Sequence, residues 1–167
     1  MSRKGRRYAL KSSGTKALLS KASDKLGINL VDIVDSKATI EAVETGRGEV
    51  LLVDRKPLLF RTGEEIYPTL LFEEFVAKLP KVVVDMGAVR HVCNGAGIMA
   101  PGIVRYEGEF KKGGLVLVVD VKFGKPLALG EAQYDAEAAR NVKQGIVVKN
   151  VHFVSDEIWN AMKALGG

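Results

Sequence analysis

The chain has 167 residues, a formal net charge of +5 and a hydrophobic fraction of 47%. That is enough apolar material for one ordinary domain or two small ones, which excludes a disordered polymer. The longest wholly apolar runs, such as Leu115 to Val119, fall far short of the roughly 18 residues a membrane helix needs; the basic N-terminus lacks the apolar stretch of a secretory signal, and the single cysteine, Cys93, excludes an intramolecular disulfide, so a soluble cytoplasmic protein is expected.

Charge is concentrated at the start. Residues 1–25 hold eight Lys or Arg and one Asp, a net of +7, whereas the remaining 142 residues carry 17 basic and 19 acidic groups, a net of −2. A cationic segment supplies salt-sensitive attraction to phosphates. Residues 1–14, with Arg3, Lys4, Arg6 and Arg7, are therefore expected to be a mobile basic arm that a polyanion orders. The spacing of Leu18, Leu19, Ala22 and Leu26 predicts a helix from about Thr15 to Leu26, ended by Gly27. Strands are predicted at about 37–43, 49–54 and 57–61. Thr45-Gly46-Arg47-Gly48 and Arg55-Lys56 make the turns between them. Pro68 suits the first turn of a helix reaching about Lys78, with Leu71, Phe72, Phe75, Val76 and Leu79 as its buried stripe and Pro80 as its stop.

A domain boundary falls near residue 80, dividing the chain into 1–79 and 80–167. Short strands follow at about 81–84, 101–106, 115–121, 126–133 and 146–153, and many short strands with glycine turns argue for a small barrel. A helix from Met86 to about Asn94 is capped by Asp85 and stopped by Gly95. Its wheel buries Met86, Val89, Val92 and Cys93 and exposes Gly87, Arg90, His91 and Asn94. A short helix near Ala136–Val142 follows Asp135, and a final helix from about Asp156 to Leu165 is capped by Ser155, with Ile158, Trp159, Met162 and Leu165 docked on the barrel.

The stretch from Met86 to Ile103, MGAVRHVCNGAGIMAPGI, is the most informative in the chain. Its order Gly95-Ala96-x-x-Met99-Ala100-Pro101-Gly102 resembles the signature of PUA domains, an RNA-binding fold. Lys81-Val82-Val83-Val84-Asp85 before it fits that pattern. So do Gly108 and Phe110, Lys112-Gly113-Gly114, Gly124-Lys125-Pro126, Ala128-Leu129-Gly130-Glu131-Ala132 and Gly145-Ile146-Val147-Val148 after it. Tyr67-Pro68-Thr69-Leu70, Val151-His152-Phe153 and Asp156-x-x-Trp159 resemble one PUA family in particular, the malignant-T-cell-amplified-sequence family of translation re-initiation and ribosome-recycling factors. The basic start lies outside that pattern. The resemblance implies an α+β protein: an N-terminal α/β pre-PUA domain packed on a C-terminal PUA pseudo-barrel with a terminal helix.

It also implies where RNA is met. In PUA domains the loop equivalent to Gly95–Met99 and the helix before it contact RNA. Gly87 and Arg90 on the helix, and Gly95, Ala96, Gly97 and Met99 in the loop, are the expected contacts, with His91 ranked below Arg90. Gly95 and Gly97 also serve the turn itself. In the last strand Lys149 is the better candidate; Asn150 reads as a turn or bulge residue, and alternation sets the two on opposite faces. His152 reads as a packed, hydrogen-bonded histidine, Trp159 as core, Tyr67 as an anchor between the domains and Cys93 as inert.

The common catalytic signatures do not occur. Two histidines and one cysteine make no typical zinc site, there is no GxxxxGK[ST], and Gly46-x-Gly48 is followed by no helix. Glu64-Glu65 and Glu73-Glu74 are adjacent pairs that point apart. No cofactor and no metal are expected, and the chain reads as a non-enzyme. The expected function is RNA binding in translation, to tRNA or small-subunit rRNA on the small ribosomal subunit, with a SUI-type-domain protein as a further partner by resemblance. Two alternatives are a targeting subunit for a tRNA- or rRNA-modifying enzyme and an RNA-modifying enzyme in its own right.

Overall fold

The computed structural model describes residues 5–30 and 37–166, so Arg3 and Lys4 of the expected arm lie outside the described residues. The chain divides into two compact units. One comprises Met1–Phe72 and Asn160–Gly167, the other Glu73–Trp159.

In the first unit five strands pair antiparallel in chain order: β1 (Arg7–Ala9), β2 (Ile40–Thr45), β3 (Gly48–Val53), β4 (Lys56–Thr62) and β5 (Glu65–Pro68). One face of the sheet buries Ile40, Ala42, Leu51 and Leu59, and the other buries Val50 and Phe60. Helix α1 (Ser12–Leu26) buries Leu18, Leu19 and Ala22, and Gly27 closes it at φ 70° with its N–H on the carbonyl of Ser23. Left-handed backbone at that position is what glycine allows at least cost.

Three expectations are corrected here. Residues 7–14 are not a mobile arm. Arg7 to Ala9 pair with Glu41 to Val43, and α1 starts at Ser12. Arg7 forms an ion pair with Glu41, Arg6 lies 5.0 Å from the Tyr8 ring, and the Tyr8 hydroxyl donates to Glu49. The turn between β3 and β4 is Asp54-Arg55, both at positive φ, so Lys56 already belongs to the strand. Pro68 does not open a helix; it ends β5 opposite Leu59. The cause is Thr69, which is fully buried. Its hydroxyl donates to the carbonyl of Pro57 at 2.6 Å and its N–H to that of Leu58 at 2.9 Å, which holds the chain on β4. Helix α2 is accordingly only Glu73–Val76.

In the second unit the strands are β6 (Lys81–Val84), β7 (Ile98–Met99), β8 (Ile103–Glu107), β9 (Leu115–Asp120), β10 (Pro126–Ala132) and β11 (Ile146–Phe153). They form one sheet in the order β7-β11-β10-β9-β6-β8, in which β6 and β9 run parallel and the other pairs antiparallel. The sheet edges, β7 and β8, are neighbours in the chain. A single 3₁₀ turn, Ala100–Gly102, carries the backbone from one edge to the other and thereby closes the sheet. The strand expected at 101–106 therefore begins only at Ile103, because Pro101 and Gly102 belong to this turn, and the short β7 falls in the expected loop. Inside lie Val82, Val84, Ile98, Val116, Val118, Val147 and Val148, with Phe110, Ala136 and Ala139 packed in the same cluster.

Helix α3 (Met86–Val92) follows β6 directly, and α4 (Ala136–Ala139) is one turn long. The final helix, α5 (Glu157–Ala164), is capped by Asp156 rather than by Ser155. The Asp156 carboxylate accepts from the Trp159 N–H at 2.7 Å, while Ser155 sits at φ 80°. His152 and Asp156 are both buried, with Nδ1 2.8 Å from Oδ2. Ile158 and Met162 are the deeply buried residues of α5; Trp159 is only half-buried. No helix among the described residues is long and apolar enough to cross a membrane.

Candidate nucleic-acid interface

The site grows out of the junction between β6 and α3. Asp85 leaves the strand in an extended conformation, and its carboxylate accepts from the Ala88 N–H at 2.9 Å, which starts the helix. Gly87, Arg90 and His91 are exposed on α3 while Val92 is buried and Val89 half-buried. Met86 departs from the expected wheel and is 44% exposed. As the first residue of α3 it belongs to the apolar stripe by spacing, yet it stands at the very end of the helix, where the stripe is no longer covered.

The chain after α3 is held from behind. The Cys93 and Ala96 N–H groups return to the carbonyls of Val89 and His91 at 2.9 and 3.0 Å. Gly95 sits at φ 91°, a conformation that favours glycine, and a Cβ there would also press on the Phe153 ring at 3.1 Å. The Asn150 side-chain amide donates to the carbonyls of Val92 and Ala96, at 3.0 and 3.1 Å. The Ser155 hydroxyl adds a longer bond to the carbonyl of Cys93. Strand β11 and the residues after it thus fix both ends of the Cys93–Gly97 loop.

In front of the loop lies a cleft of about 510 Å³, lined by Gly87 and His91 on α3, by Ala96 to Met99 and by Pro101-Gly102. Its walls are largely backbone and small side chains. Asp85 is its one carboxylate, engaged in capping α3. Beside it Met99 and Ile146, paired across β7 and β11, are 48% and 51% exposed. A Cβ on Gly97 would come within 2.9 Å of the Ile146 side chain, so glycine lets this apolar shelf stand close to the loop.

Four of the expected contact residues, Gly87, Ala96, Gly97 and Met99, come together in the cleft. Arg90 is exposed on the same helix outside it, Gly95 backs onto Phe153, and Lys149 is exposed opposite Glu131. Sequence reasoning ranked His91 below Arg90, although His91 lines the cleft, and it did not single out Ile146 or the role of Asn150. A bulge explains the last. Gly130 pairs with Asn150 and Leu129 with His152, so Val151 is the extra residue and strict alternation fails at this point. Burial pushes the Cys93 thiol up, which leaves it protonated and unreactive at neutral pH. Among the described residues no group of three or more His, Cys, Asp or Glu could hold a metal ion.

A small-walled cleft with an apolar shelf, an exposed arginine and a histidine suits a nucleotide: stacking for the base, hydrogen bonds and charge for the sugar–phosphate. Comparison with known proteins bears on that chemistry. The PUA domain model matches residues 80–154, and a domain of unknown function, DUF1947, matches residues 6–73. The chain is 34% identical to protein MJ1432 of Methanocaldococcus jannaschii over 93% of this chain and 96% of that one. It is 29% identical to translation machinery-associated protein 20 of Saccharomyces cerevisiae, over 87% and 84% of the two chains. Malignant T-cell-amplified sequence 1 of Rattus norvegicus is 34% identical over 67% of this chain and 64% of its own length. Among solved structures, PH0734.1 of Pyrococcus horikoshii superposes with a TM-score of 0.75 at 32% identity, over 94% of this chain and 99% of that one.

Proposed function

We propose a function from one premise: the chain belongs to the family of PUA-domain proteins with a DUF1947 N-terminal half, homologous to translation machinery-associated protein 20 and to the malignant T-cell-amplified sequences. On this reading the protein is an RNA-binding component of the translation apparatus that acts by binding and not by catalysis. The cleft between α3 and the Gly95–Met99 loop takes an element of tRNA or of small-subunit rRNA. The observation that carries the reading is the cleft itself, built at the α3–β7 junction of a PUA domain, pinned from behind by Asn150 and open in front.

Gly87 and Ala96 to Met99 line the contact, Arg90 and Lys149, exposed outside the cleft, add phosphate contacts, and Gly95 sets the loop. Residues 1–79 form the pre-PUA part with its basic start, which meets the ribosome or a SUI-type-domain protein in the cytoplasm, and residues 80–167 form the PUA part with its terminal helix. Function is then positional, since RNA is held in a defined place while other factors act.

The test is binding of the pure protein to full-length tRNA, to the same tRNA lacking its 3′ CCA and to purified small subunits, each at two salt concentrations. Salt-resistant binding that needs the CCA end or the small subunit is expected. Weak binding to all three that collapses with salt would refute a specific cleft and leave only unspecific charge. Co-purification with an RNA-modifying enzyme in place of small subunits would point to the targeting-subunit alternative, and turnover of tRNA by the isolated protein would refute the non-enzymatic reading.

A further inference from the structure

Among the described residues, the most exposed of the large apolar side chains is not in the cleft. Phe123, 64% exposed, stands at the tip of the turn between β9 and β10. The turn reads Val121-Lys122-Phe123-Gly124-Lys125 and contains no acidic residue. Lys122 Nζ and Lys125 Nζ lie 5.1 and 5.8 Å from the centre of the Phe123 ring. An aromatic that is mostly exposed and flanked by two cations is not a core residue.

The turn is nonetheless rigid. Asp120, only 4% exposed, accepts from the Phe123 N–H with one carboxylate oxygen and from the Lys125 N–H at 3.1 Å with the other. The Asp120 N–H and carbonyl bond the Lys125 carbonyl and the Gly124 N–H at 3.2 and 3.1 Å, and Gly124 takes φ 65°. The Asp120 carboxylate is thus spent on backbone amides. What the tip offers outward is a ring and two ammonium groups.

Its place in the fold ties it to the cleft. Asp120 is in register with Val84, and the Val121 N–H donates to the Val84 carbonyl at 2.9 Å. The next residue, Asp85, caps α3, so the turn leaves the sheet beside the start of the helix that lines the cleft. Met86 and Val121, both exposed, stand at this same end.

We propose that the β9–β10 turn is a second RNA contact, taking one unpaired base on the Phe123 ring and its flanking phosphates on Lys122 and Lys125, and continuing the path of a strand held in the cleft. The proposal rests on the RNA-binding reading above. Stacking is indifferent to base identity, so the contact adds affinity and direction without sequence preference. An RNA strand is favoured over a protein partner by the two lysines, because an apolar protein contact would have to desolvate both.

The test compares the wild type with Phe123→Ala, Phe123→Leu, Phe123→Trp, the Lys122→Ala/Lys125→Ala pair and Arg90→Ala. Binding to a labelled tRNA and to a labelled single-stranded U12 is followed by anisotropy from low to high salt. All these side chains are exposed, and thermal melting checks that the variants fold. Phe123→Ala and Phe123→Leu should each weaken binding by about tenfold, within the range for losing one stacked base, and Phe123→Trp should hold or tighten it. The double lysine variant should flatten the slope of log K against log salt by about 1.4, near 0.7 for each single-strand phosphate lost. Wild-type RNA binding that Arg90→Ala weakens and Phe123→Ala leaves unchanged would overturn this proposal and spare the cleft. Loss in Phe123→Ala with recovery in Phe123→Leu would overturn stacking in favour of an apolar contact. No RNA binding by the wild type would overturn both readings.

Discussion

Replacing Asn150 by alanine separates the loop's geometry from its chemistry, because Asn150 supports the loop without lining the cleft. The change removes two hydrogen bonds, to the carbonyls of Val92 and Ala96. Each contributes about 1 kcal/mol net, so about 2 kcal/mol is the upper figure. Relief is available at both acceptors. The Val92 carbonyl keeps the Gly95 N–H at 3.1 Å, and Ala96 is exposed, so its carbonyl can turn to water. The expected loss is therefore about 1–2 kcal/mol, or a fall in melting temperature of about 2–8 °C for a chain of this size. If RNA needs the loop as it stands, binding pays the same energy again to restore it. Affinity for tRNA should then drop by about 5- to 30-fold. Asn150→Asp keeps the shape but turns a carboxylate oxygen toward two carbonyl oxygens, so at neutral pH it should be worse than alanine in both assays. Calorimetric melting and anisotropy on the same preparations decide the matter. A lowered melting temperature with tRNA affinity within twofold of wild type would refute the loop as the RNA contact. An unchanged melting temperature would refute the support that Asn150 is argued to give.

Two glycines near the same strand should respond oppositely. A Cβ at Gly97 meets only the Ile146 side chain, which is half-exposed and can swing away, so Gly97→Ala should cost under about 1 kcal/mol in stability yet weaken RNA binding by crowding the cleft. A Cβ at Gly130 would overlap Val148 in the packed interior, so Gly130→Ala should cost about 1–3 kcal/mol; urea melts and tRNA binding separate the two effects. In acid, Asp156 should report through stability. Burial alone would raise its carboxyl, but hydrogen bonding and charge from His152, with the amides of Trp159 and Phe153, outweigh this and hold it below the ordinary aspartate range. A depressed folded value means stability that is complete above the unfolded pKa near 3.9 and is lost as pH falls through the folded one. Urea midpoints measured from pH 6 to pH 2 should therefore fall more steeply in the wild type than in Asp156→Asn; equal slopes would exclude this linkage. Arg90→Ala should weaken tRNA binding at low salt and reduce its salt slope by roughly one, and an unchanged slope would remove Arg90 from the interface.

Much of the second unit was legible because local signals agreed there. The runs Lys81–Val84 and Ile146–Phe153 became strands with the expected bounds, and Asp85 capped the helix as its position suggested. Two of the failures share a cause: a distant partner outweighed a local preference. Pro68 is a good first residue for a helix, yet the bonds from Thr69 to Pro57 and Leu58 keep that segment in the sheet. Arg6 and Arg7 look like a free cationic tail until Glu41 and Tyr8 take them up. Ser155 is a good cap, but Asp156 also meets His152, and the buried pair wins.

The same reasoning explains why the cleft could be located from sequence while its support could not. Glycines in a row announce backbone that something can approach, and the family pattern makes RNA the expected partner. Asn150 announces nothing, because its partners lie 58 and 54 residues away and the bulge at Val151 upsets the alternation that would have assigned its face. Phe123 is a lone aromatic among lysines in the sequence, with no periodicity to interpret. Only the fold puts a buried aspartate under its turn and sets that turn beside the start of α3. Contacts made by backbone leave a trace in glycine spacing, whereas contacts made by single side chains across the barrel leave none. Substitutions at Asn150 and Phe123 therefore test more than those at the glycines, whose importance the turn alone would explain.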